Sequence, residues 1–135
     1  MLKKNGFTLI EIVVVLTVIG ILSALAWPNY MAIKEKTLNR EARAMLLLLY
    51  TEEKSYKMEH REYYPEAAVV SNIPEINQNL KLSISLSSNW VFTLDTTTAG
   101  SEFVQAARNG SDGRVWKSYL SDEFEASCSG GSYCS

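Results

Sequence analysis

The fold of this chain is decided by residues 6–28, which read GFTLIEIVVVLTVIGILSALAWP. From residue 7 to residue 27 the side chains are almost wholly apolar, and Glu11 carries the one charge. An α-helix over this stretch is about 31 Å long at 1.5 Å per residue, which matches a bilayer hydrocarbon core of about 30 Å. Because lipid offers the backbone no hydrogen-bond partners, one isolated segment can cross it only as a helix. The stretch therefore predicts a membrane-spanning helix.

The residues ahead of this helix predict its orientation. Lys3 and Lys4 lie there without any acidic residue, and positive charge beside a spanning segment tends to stay cytoplasmic. We therefore expect residues 1–6 to face the cytosol and the rest of the chain to be exported. A cleaved secretory signal is the alternative, since the small residues within 23–26 imitate a cleavage site after an apolar region. The run is longer than a signal-peptide core and contains Glu11, which favours a retained anchor.

The basic leader and residues 6–11, GFTLIE, resemble the processing site of type IV prepilins and of the related pseudopilins of type II secretion. In that family a membrane peptidase cuts after the glycine and methylates the new amino-terminal residue, typically phenylalanine. The resemblance implies cleavage between Gly6 and Phe7, N-methylation of Phe7, and an apolar helix that stays on the mature protein. It is strong over the first third of the chain and architectural beyond it.

Glu11 is costly inside a membrane. A carboxylate near the centre of a spanning helix costs about 2.5–3.5 kcal/mol on insertion scales, and Glu11 lies near the cytoplasmic end, where the cost is lower. One interpretation is that the side chain reaches back to the interface. The other is that it pairs with the α-amine of Phe7, four residues away in its own chain or at the start of a neighbouring chain. The resemblance implies the intermolecular pair, which would set the register of assembly.

Beyond Pro28 the helical spacing continues. Pro28 lacks an N–H and clashes with the carbonyl four residues earlier, so it ends or kinks the first half of the helix. One apolar face then follows at helical spacing; it comprises Leu38, Ala42, Met45, Leu49 and Tyr56. We expect one long helix to about Glu59, bent near Pro28, with its amino-terminal half protruding and the leucine run 46–49 clamped against a sheet. On the opposite side, Glu53 and Lys57 are expected to form an ion pair.

The family resemblance also extends along this helix, because Gly20, Pro28 and Tyr30 match the family's pattern there. It implies a helix break between Gly20 and Pro28, where the segment loses helix when subunits pack into a filament. Such a break is permissible only where neighbouring chains shelter the freed backbone groups.

Alternating apolar and polar residues predict the strands. Residues 80–86 alternate Leu or Ile with Lys or Ser, and residues 90–94 repeat the alternation. Residues 103–108 and 114–120 flank the sequence NGSDG at 109–113, which is a strong hairpin-turn signal. Ahead of these strands, the Pro and Asn residues indicate a loop that joins helix to sheet, and its two adjacent tyrosines are expected to pack on the helix end.

The predicted fold class is α+β, in which a long bent N-terminal α-helix, transmembrane in its first half, packs on a small antiparallel β-meander of three or four strands. The family resemblance implies the same pilin-like architecture. We expect a prepilin leader at residues 1–6 and a hydrophobic transmembrane and assembly helix at residues 7–28. A periplasmic globular domain at residues 29–135 then includes the second half of the helix.

Two cysteines, Cys128 and Cys134, lie near the carboxyl terminus. The exported side of a membrane is oxidising, so disulfides persist there, and a ring of this size is worth about 2.4 kcal/mol in the chain-entropy model. The spacing is not a zinc-ligand pattern, and the single histidine, His60, is distant in sequence. We therefore predict a disulfide. Many pilins close a much longer loop at this place, so the chain departs from the family there.

The remaining composition narrows the function. At 135 residues, or 129 after removal of six, the chain has room for one anchored helix and one small domain. A formal net charge of -2 argues against a strongly basic nucleic-acid binder. No Ser or Cys has a credible histidine base, so we expect a non-enzyme without cofactor. Asp95 and Asp112 are candidates for a calcium site like that of major pseudopilins, but a hairpin turn explains Asp112 better.

Three functional interpretations remain open at this point. The first is a subunit of a type IV pilus, which the terminal disulfide favours; the second is a pseudopilin of a type II secretion system; the third is a single-pass anchored binding or sensory protein. For the first two, the resemblance implies an inner-membrane precursor with a cytoplasmic amino terminus, and for a pilin a cell-surface pilus after assembly. Implied partners are copies of the chain and related pilins in a helical homopolymer, prepilin peptidase and a membrane assembly platform.

Overall fold

The computed structural model describes residues 7–110 and 112–134. The predicted leader, and Gly6 with it, lies outside the described residues. The elements are α1 (Leu9–His60), β1 (Val69–Val70), α2 (Ile73–Asn79), β2 (Trp90–Asp95), β3 (Phe103–Arg108), β4 (Val115–Tyr119) and β5 (Ser127–Ser129). By its contacts the chain divides into two units, Met1–Lys36 and Thr37–Ser135.

The first unit is the amino-terminal part of α1, which continues as helix through Gly20 and Pro28. Every large apolar side chain from residue 9 to residue 33 is exposed, with Leu9 at 82% and Trp27 at 71%. By length and composition this helix is sufficient to cross a membrane. The structure thus agrees with the predicted apolar helix and leaves its surface without a covering element among the described residues.

In the second unit, the remainder of α1 packs on a five-stranded antiparallel sheet with strand order β1-β2-β3-β4-β5. Neighbours in sequence are neighbours in space, so the sheet is a simple meander. Its inner face and the buried face of α1 form one core, which includes Leu46 and Leu49 from the helix and Phe92, Leu94 and Val104 from the sheet. The predicted α+β class, the helix end near residue 59 and the hairpin around residues 109–113 are confirmed.

The strand predicted at residues 80–86 is wrong. Residues 80–81 form a turn and residues 82–86 run beside the core without joining the sheet, although the alternation correctly places Ile84 inside. The reason is local, because the side-chain amide of Asn77 replaces a partner strand. Its Oδ1 accepts the N–H of Ile84 at 2.9 Å and its Nδ2 donates to the carbonyl of Ile84 at 2.8 Å. The backbone at the buried position is therefore satisfied without a ladder.

The segment between helix and sheet also holds more structure than the sequence indicated. Pro74 lies in the first turn of α2, where a missing N–H costs nothing because that group has no helical partner. Tyr63 and Tyr64 are buried, as expected. The short edge strands β1 and β5 raise the strand count from the expected three or four to five.

Two predictions about α1 need correction. Glu53 does not form a surface pair with Lys57 but is fully buried, because it follows Leu49 by four residues and so shares its face. The Nζ of Lys57 lies over the ring of Tyr63, 4.0 Å from its centroid. Only part of the leucine run packs on the sheet. Leu46 and Leu49 are fully buried, whereas Leu47 and Leu48 are exposed.

Glu53 is held by one hydrogen bond. Its Oε2 accepts the N–H of Tyr64 at 3.0 Å, and its buried Oε1 has no hydrogen-bond partner among the described residues. Burial raises the pKa of Glu53 from 4.5 to about 8, although the hydrogen bond from Tyr64 opposes the rise. A carboxyl group in this position is more stable when protonated.

Replacing Glu53 by Gln is expected to remove a pH dependence of stability. Between pH 4.5 and about 8 the folded chain keeps a proton on Glu53 that the unfolded chain has released, so the free energy of unfolding falls as the pH rises. Across this range we expect a loss on the order of a few kcal/mol in the parent chain and a smaller one in Glu53→Gln. Thermal unfolding of the detergent-solubilised chain, followed by circular dichroism, measures both. The control is Glu52→Gln, and equal pH slopes in parent and Glu53→Gln would contradict the assignment.

Candidate functional site

The first candidate site is the start of α1. Phe7 lies two residues before the helix and is 79% exposed, and Glu11 lies exposed in the first helical turn. The N–H of Glu11 donates to the carbonyl of Thr8 at 3.1 Å. A carboxylate is favourable at this end, because the first backbone N–H groups of a helix are unpaired and carry partial positive charge. None of the cationic side chains that the structure describes pairs with Glu11.

Gly20 and Pro28 are two weak positions in this helix. No heavy atom counted as a neighbour lies within 4 Å of a Cβ built on Gly20, so contacts within the described chain do not explain the glycine. Glycine costs a helix interior about 0.5–1 kcal/mol relative to alanine, and Pro28 removes one backbone hydrogen bond. The isolated chain nevertheless keeps this stretch helical.

The second candidate site is at the carboxyl terminus, where the predicted disulfide is confirmed. Cys128 and Cys134 are bonded, with their Cα atoms 5.4 Å apart. Cys128 lies in β5, which pairs with β4. The ring of residues 128–134 is therefore fixed to the edge of the sheet at one end.

A set of polar residues fixes the other end of the ring, and we name it the carboxyl-terminal clasp: Asn39, Asp112, Arg114 and Tyr133. The Nδ2 of Asn39 donates to the carbonyl of Tyr133 at 2.7 Å. Arg114 is fully buried; its Nε pairs with Oδ2 of Asp112 at 2.9 Å and its Nη1 donates to Oδ1 of Asn39 at 2.8 Å. The clasp thus joins α1, the start of β4 and the disulfide ring. The ion pair with Asp112 and the hydrogen bond to Asn39 offset the cost of burying a guanidinium.

Two glycines let the ring approach the clasp. Gly130 and Gly131 have φ of +69° and +73°, which residues with a Cβ rarely adopt. A Cβ on Gly131 would lie 2.7 Å from Oδ1 of Asp112, and one on Gly130 would lie 2.5 Å from the carbonyl oxygen of Gly113. The N–H of Ser132 then donates to Oδ1 of Asp112 at 3.3 Å. Larger residues would separate the ring from the hairpin turn.

The geometry does not support a calcium site at the two aspartates considered from sequence. Both carboxylate oxygens of Asp112 have partners: Oδ2 pairs with Arg114 of the clasp, and Oδ1 accepts the N–H of Ser132 in the disulfide ring. Oδ1 of Asp95 accepts the hydroxyl of Thr97 at 2.7 Å and its N–H at 3.0 Å. Both hydrogen bonds lower the pKa of Asp95, and the bond from the hydroxyl has the larger effect. In the described parts of the chain, no cluster of His, Cys, Asp and Glu suited to a metal is found.

His60 packs on Tyr56, which lies one turn earlier in α1. Its Nδ1 lies 3.2 Å from the carbonyl of Tyr56, and its ring stacks on the Tyr56 ring with centroids 4.0 Å apart. It is exposed at the end of α1, as expected from the charged residues around it.

Sequence reasoning missed Asn39 and Arg114. Asn39 lies between Leu38 and Ala42 on the inner side of α1, so a polar residue beside the apolar face was an available signal. Arg114 carried no such signal. It directly follows a glycine-rich turn, and its position predicts the exposed first residue of a strand. One of its partners is the carbonyl of Tyr133, which is 19 residues away in sequence.

Comparison with known proteins links the start of the chain to a family. The prokaryotic N-terminal methylation motif matches residues 1–27. Over 73 residues the chain is 38% identical to the type IV major pilin protein PilA of Myxococcus xanthus, which covers 54% of this chain and 33% of that protein. Over 61 residues it is 39% identical to type II secretion system core protein G of Escherichia coli, covering 45% of this chain and 42% of that protein.

Core protein G of Dickeya chrysanthemi gives a similar match, 36% identical over 61 residues, which covers 45% of this chain and 40% of that protein. The matched region thus spans less than half the length of each of these relatives. No solved structure matches the chain. These matches confirm the resemblance to pilins and pseudopilins.

Removing the Asn39 side chain is expected to destabilise the globular unit. In Asn39→Ala, the buried Arg114 loses an acceptor and the carbonyl of Tyr133 loses a donor, which should lower the free energy of unfolding by about 2–4 kcal/mol. Urea denaturation measures the change. Asn109→Ala is the control, since its side chain makes an exposed hydrogen bond to the carbonyl of Ser88 and should cost less than about 1 kcal/mol. Equal costs for the two variants would contradict the role of the clasp.

Proposed function

We propose that this chain, which carries the amino-terminal methylation motif and apolar first helix of the type IV pilins and pseudopilins, is a structural subunit of a type IV pilus filament. The observation that carries the proposal is the helical surface from residue 9 to residue 33, where every large apolar side chain is exposed. Such a surface needs either lipid or other helices around it. A subunit that moves from the membrane into a helical bundle meets this need at both stages.

The proposed sequence of events begins in the inner membrane, with the amino terminus in the cytoplasm and the globular unit outside. Prepilin peptidase cuts between Gly6 and Phe7 and methylates Phe7. A membrane assembly platform then adds the subunit to the base of a filament, in which it contacts further copies of itself and related pilins. The apolar helix exchanges its contacts with lipid for contacts with other subunits. The apolar area buried in the filament has to compensate for the area that leaves the lipid, at about 25 cal/mol per Å².

Glu11 is proposed to direct this exchange. Cleavage creates an α-amine at Phe7, and in an apolar bundle this cation would pair with Glu11 of the neighbouring subunit. The exposure of Glu11 and its lack of a described cationic partner support an external partner. An ion pair within an apolar bundle is best attested as a device that sets register.

The segment between Gly20 and Pro28 is proposed to lose helix in the filament. The open space around Gly20 and the hydrogen bond removed by Pro28 make it the weakest part of the exposed helix. Neighbouring helices would have to shelter the freed backbone groups.

The alternative function is a pseudopilin of a type II secretion system, which the similarity to core protein G favours. A calcium-bound carboxyl-terminal loop would support it. Here Arg114 already provides the positive charge that Asp112 requires, and a disulfide closes the ring. We therefore favour the pilus subunit.

Glu11→Ala is expected to block assembly without affecting earlier steps. The variant should fold, insert and be cleaved, because Glu11 contacts no other element in the described chain. Sheared surface filaments should fall by about tenfold or more, since the α-amine of the neighbour loses its partner. Immunoblots of sheared and membrane fractions measure this, with Glu123→Ala as the matched control. Normal filament yield from Glu11→Ala would remove Glu11 from the mechanism.

Chelation is expected to leave the globular unit stable, because the clasp uses Arg114 in place of a metal ion. EDTA should not change the melting temperature, whereas dithiothreitol should lower it by about 5 °C or more through opening of the disulfide ring. Differential scanning calorimetry of the solubilised chain measures both. A large loss of stability with EDTA would favour the pseudopilin.

A further inference from the structure

The second unit leaves part of α1 uncovered on the side away from the sheet. Leu47, Leu48 and Met58 are exposed to 44%, 37% and 80%, and the exposed Ala44 and Thr51 complete the strip. We call these five residues the outer face of α1. The leucine run 46–49 therefore contains two more leucines than the core uses. An exposed apolar strip on a helix is a candidate contact surface for another molecule, and the exposed Arg40 lies at the amino-terminal end of this one.

One flank of the outer face is basic. The guanidinium of Arg43 lies 5.5 Å from the ring centroid of Trp116, and Nζ of Lys54 donates to the carbonyl of Leu120. Both partners belong to β4 or follow it directly, so this flank of α1 faces the β4 side of the sheet.

The other flank is acidic and faces the opposite side. Oε1 of Glu41 accepts the hydroxyl of Ser87 at 3.2 Å, and Glu52 lines a small cleft beside residues 79–81. Neighbouring charges limit the extent of both flanks. Beyond Glu52, Lys81 pairs with Glu59 at 3.8 Å. Beyond the basic flank, the hydroxyl of Tyr50 donates to the carbonyl of Asp122, which brings a group of exposed acidic residues close to it: Asp122, Glu123 and Glu125.

The two flanks match each other in spacing. Arg43 and Lys54 are 11 residues apart, and so are Glu41 and Glu52, which is about 16 Å along a helix in each case. A parallel copy of the helix, shifted by two residues, would bring both cations of one chain beside both carboxylates of the other. Within one chain, residues 41 and 43 cannot interact in this way, because positions i and i+2 lie on opposite sides of a helix.

We propose that the outer face of α1 in the globular unit docks against a second copy of this chain, with the basic flank of one copy against the acidic flank of the next. This inference rests on the proposed filament function, in which all helices run in the same direction. A heterologous contact between two different surfaces of the same subunit generates an open helical polymer. An anionic lipid surface fits less well, because Glu41 and Glu52 would repel it.

A charge exchange tests the docking surface. Arg43→Glu places a carboxylate against Glu41 of the next copy, and Glu41→Arg places two cations together. Each single variant should reduce sheared filaments by about tenfold, because like charges across an interface are strongly unfavourable. The double variant, Arg43→Glu with Glu41→Arg, should restore them to within about threefold of the parent, because the reversed flanks again match.

Glu66→Arg, at an exposed residue between α1 and β1, serves as the matched charge change away from both flanks and should leave the filament yield unchanged. Circular dichroism and the amount of cleaved subunit in the membrane verify folding and processing of every variant. Normal filaments from both single variants, or a double variant as defective as they are, would overturn the docking surface. Absence of filaments from the parent chain would instead contradict the proposed function.

A photo-crosslinking residue at position 48 gives a second readout that does not depend on charge. In intact filaments it should form covalent dimers, because Leu48 lies on the outer face. The same residue at position 86 is the control, since Leu86 is 78% exposed on the segment that follows α2. Dimers from position 86 without dimers from position 48 would contradict the proposal.

Discussion

The apolar surface of α1 between residues 9 and 33 has to be kept out of water, and this requirement organises the molecule. Each large apolar side chain that stays exposed to water forgoes about 1.5–3 kcal/mol of burial, and all of those between residues 9 and 33 are exposed in the single chain. Lipid and other copies of the helix are two surroundings that remove this penalty. A protein built in this way is suited to membrane storage and to polymerisation.

The same helix then serves a different purpose in the second unit. There its inner face completes the core of the antiparallel sheet, and Asn39 ties it to the carboxyl-terminal ring through Arg114 and Tyr133. The clasp is a long-range closure, because it joins residues far apart in sequence around one buried cation. It stabilises the globular unit that a filament subunit would carry to the surface.

Periodicity predicted most of this fold because burial repeats along helices and strands. It placed Leu38, Ala42 and Leu49 on the inner face of α1, and it located the β3–β4 hairpin. It failed at residues 82–86, since alternation shows which side chains are buried but not which group bonds the backbone, and Asn77 takes that role. The charge of Glu53 predicted an exposed residue, but its position four residues after Leu49 places it on the buried face of α1.

The candidate site divides in the same way. Two parts of it are local patterns that a sequence displays directly: the motif that contains Gly6, Phe7 and Glu11, and the pair of cysteines. The clasp depends on the approach of a ring to a hairpin turn in three dimensions, so nothing near Arg114 in the sequence announces it. The outer face of α1 needed the structure as well, because four consecutive leucines do not reveal which of them the core uses.

The central claim is that the chain is a processed subunit of a surface filament, and the mass of the protein in the sheared cell-surface fraction tests it most directly. The account predicts an abundant chain that begins at N-methylated Phe7 and is two hydrogens lighter than the reduced form because of the Cys128–Cys134 disulfide. A chain that still begins at Met1 would contradict it.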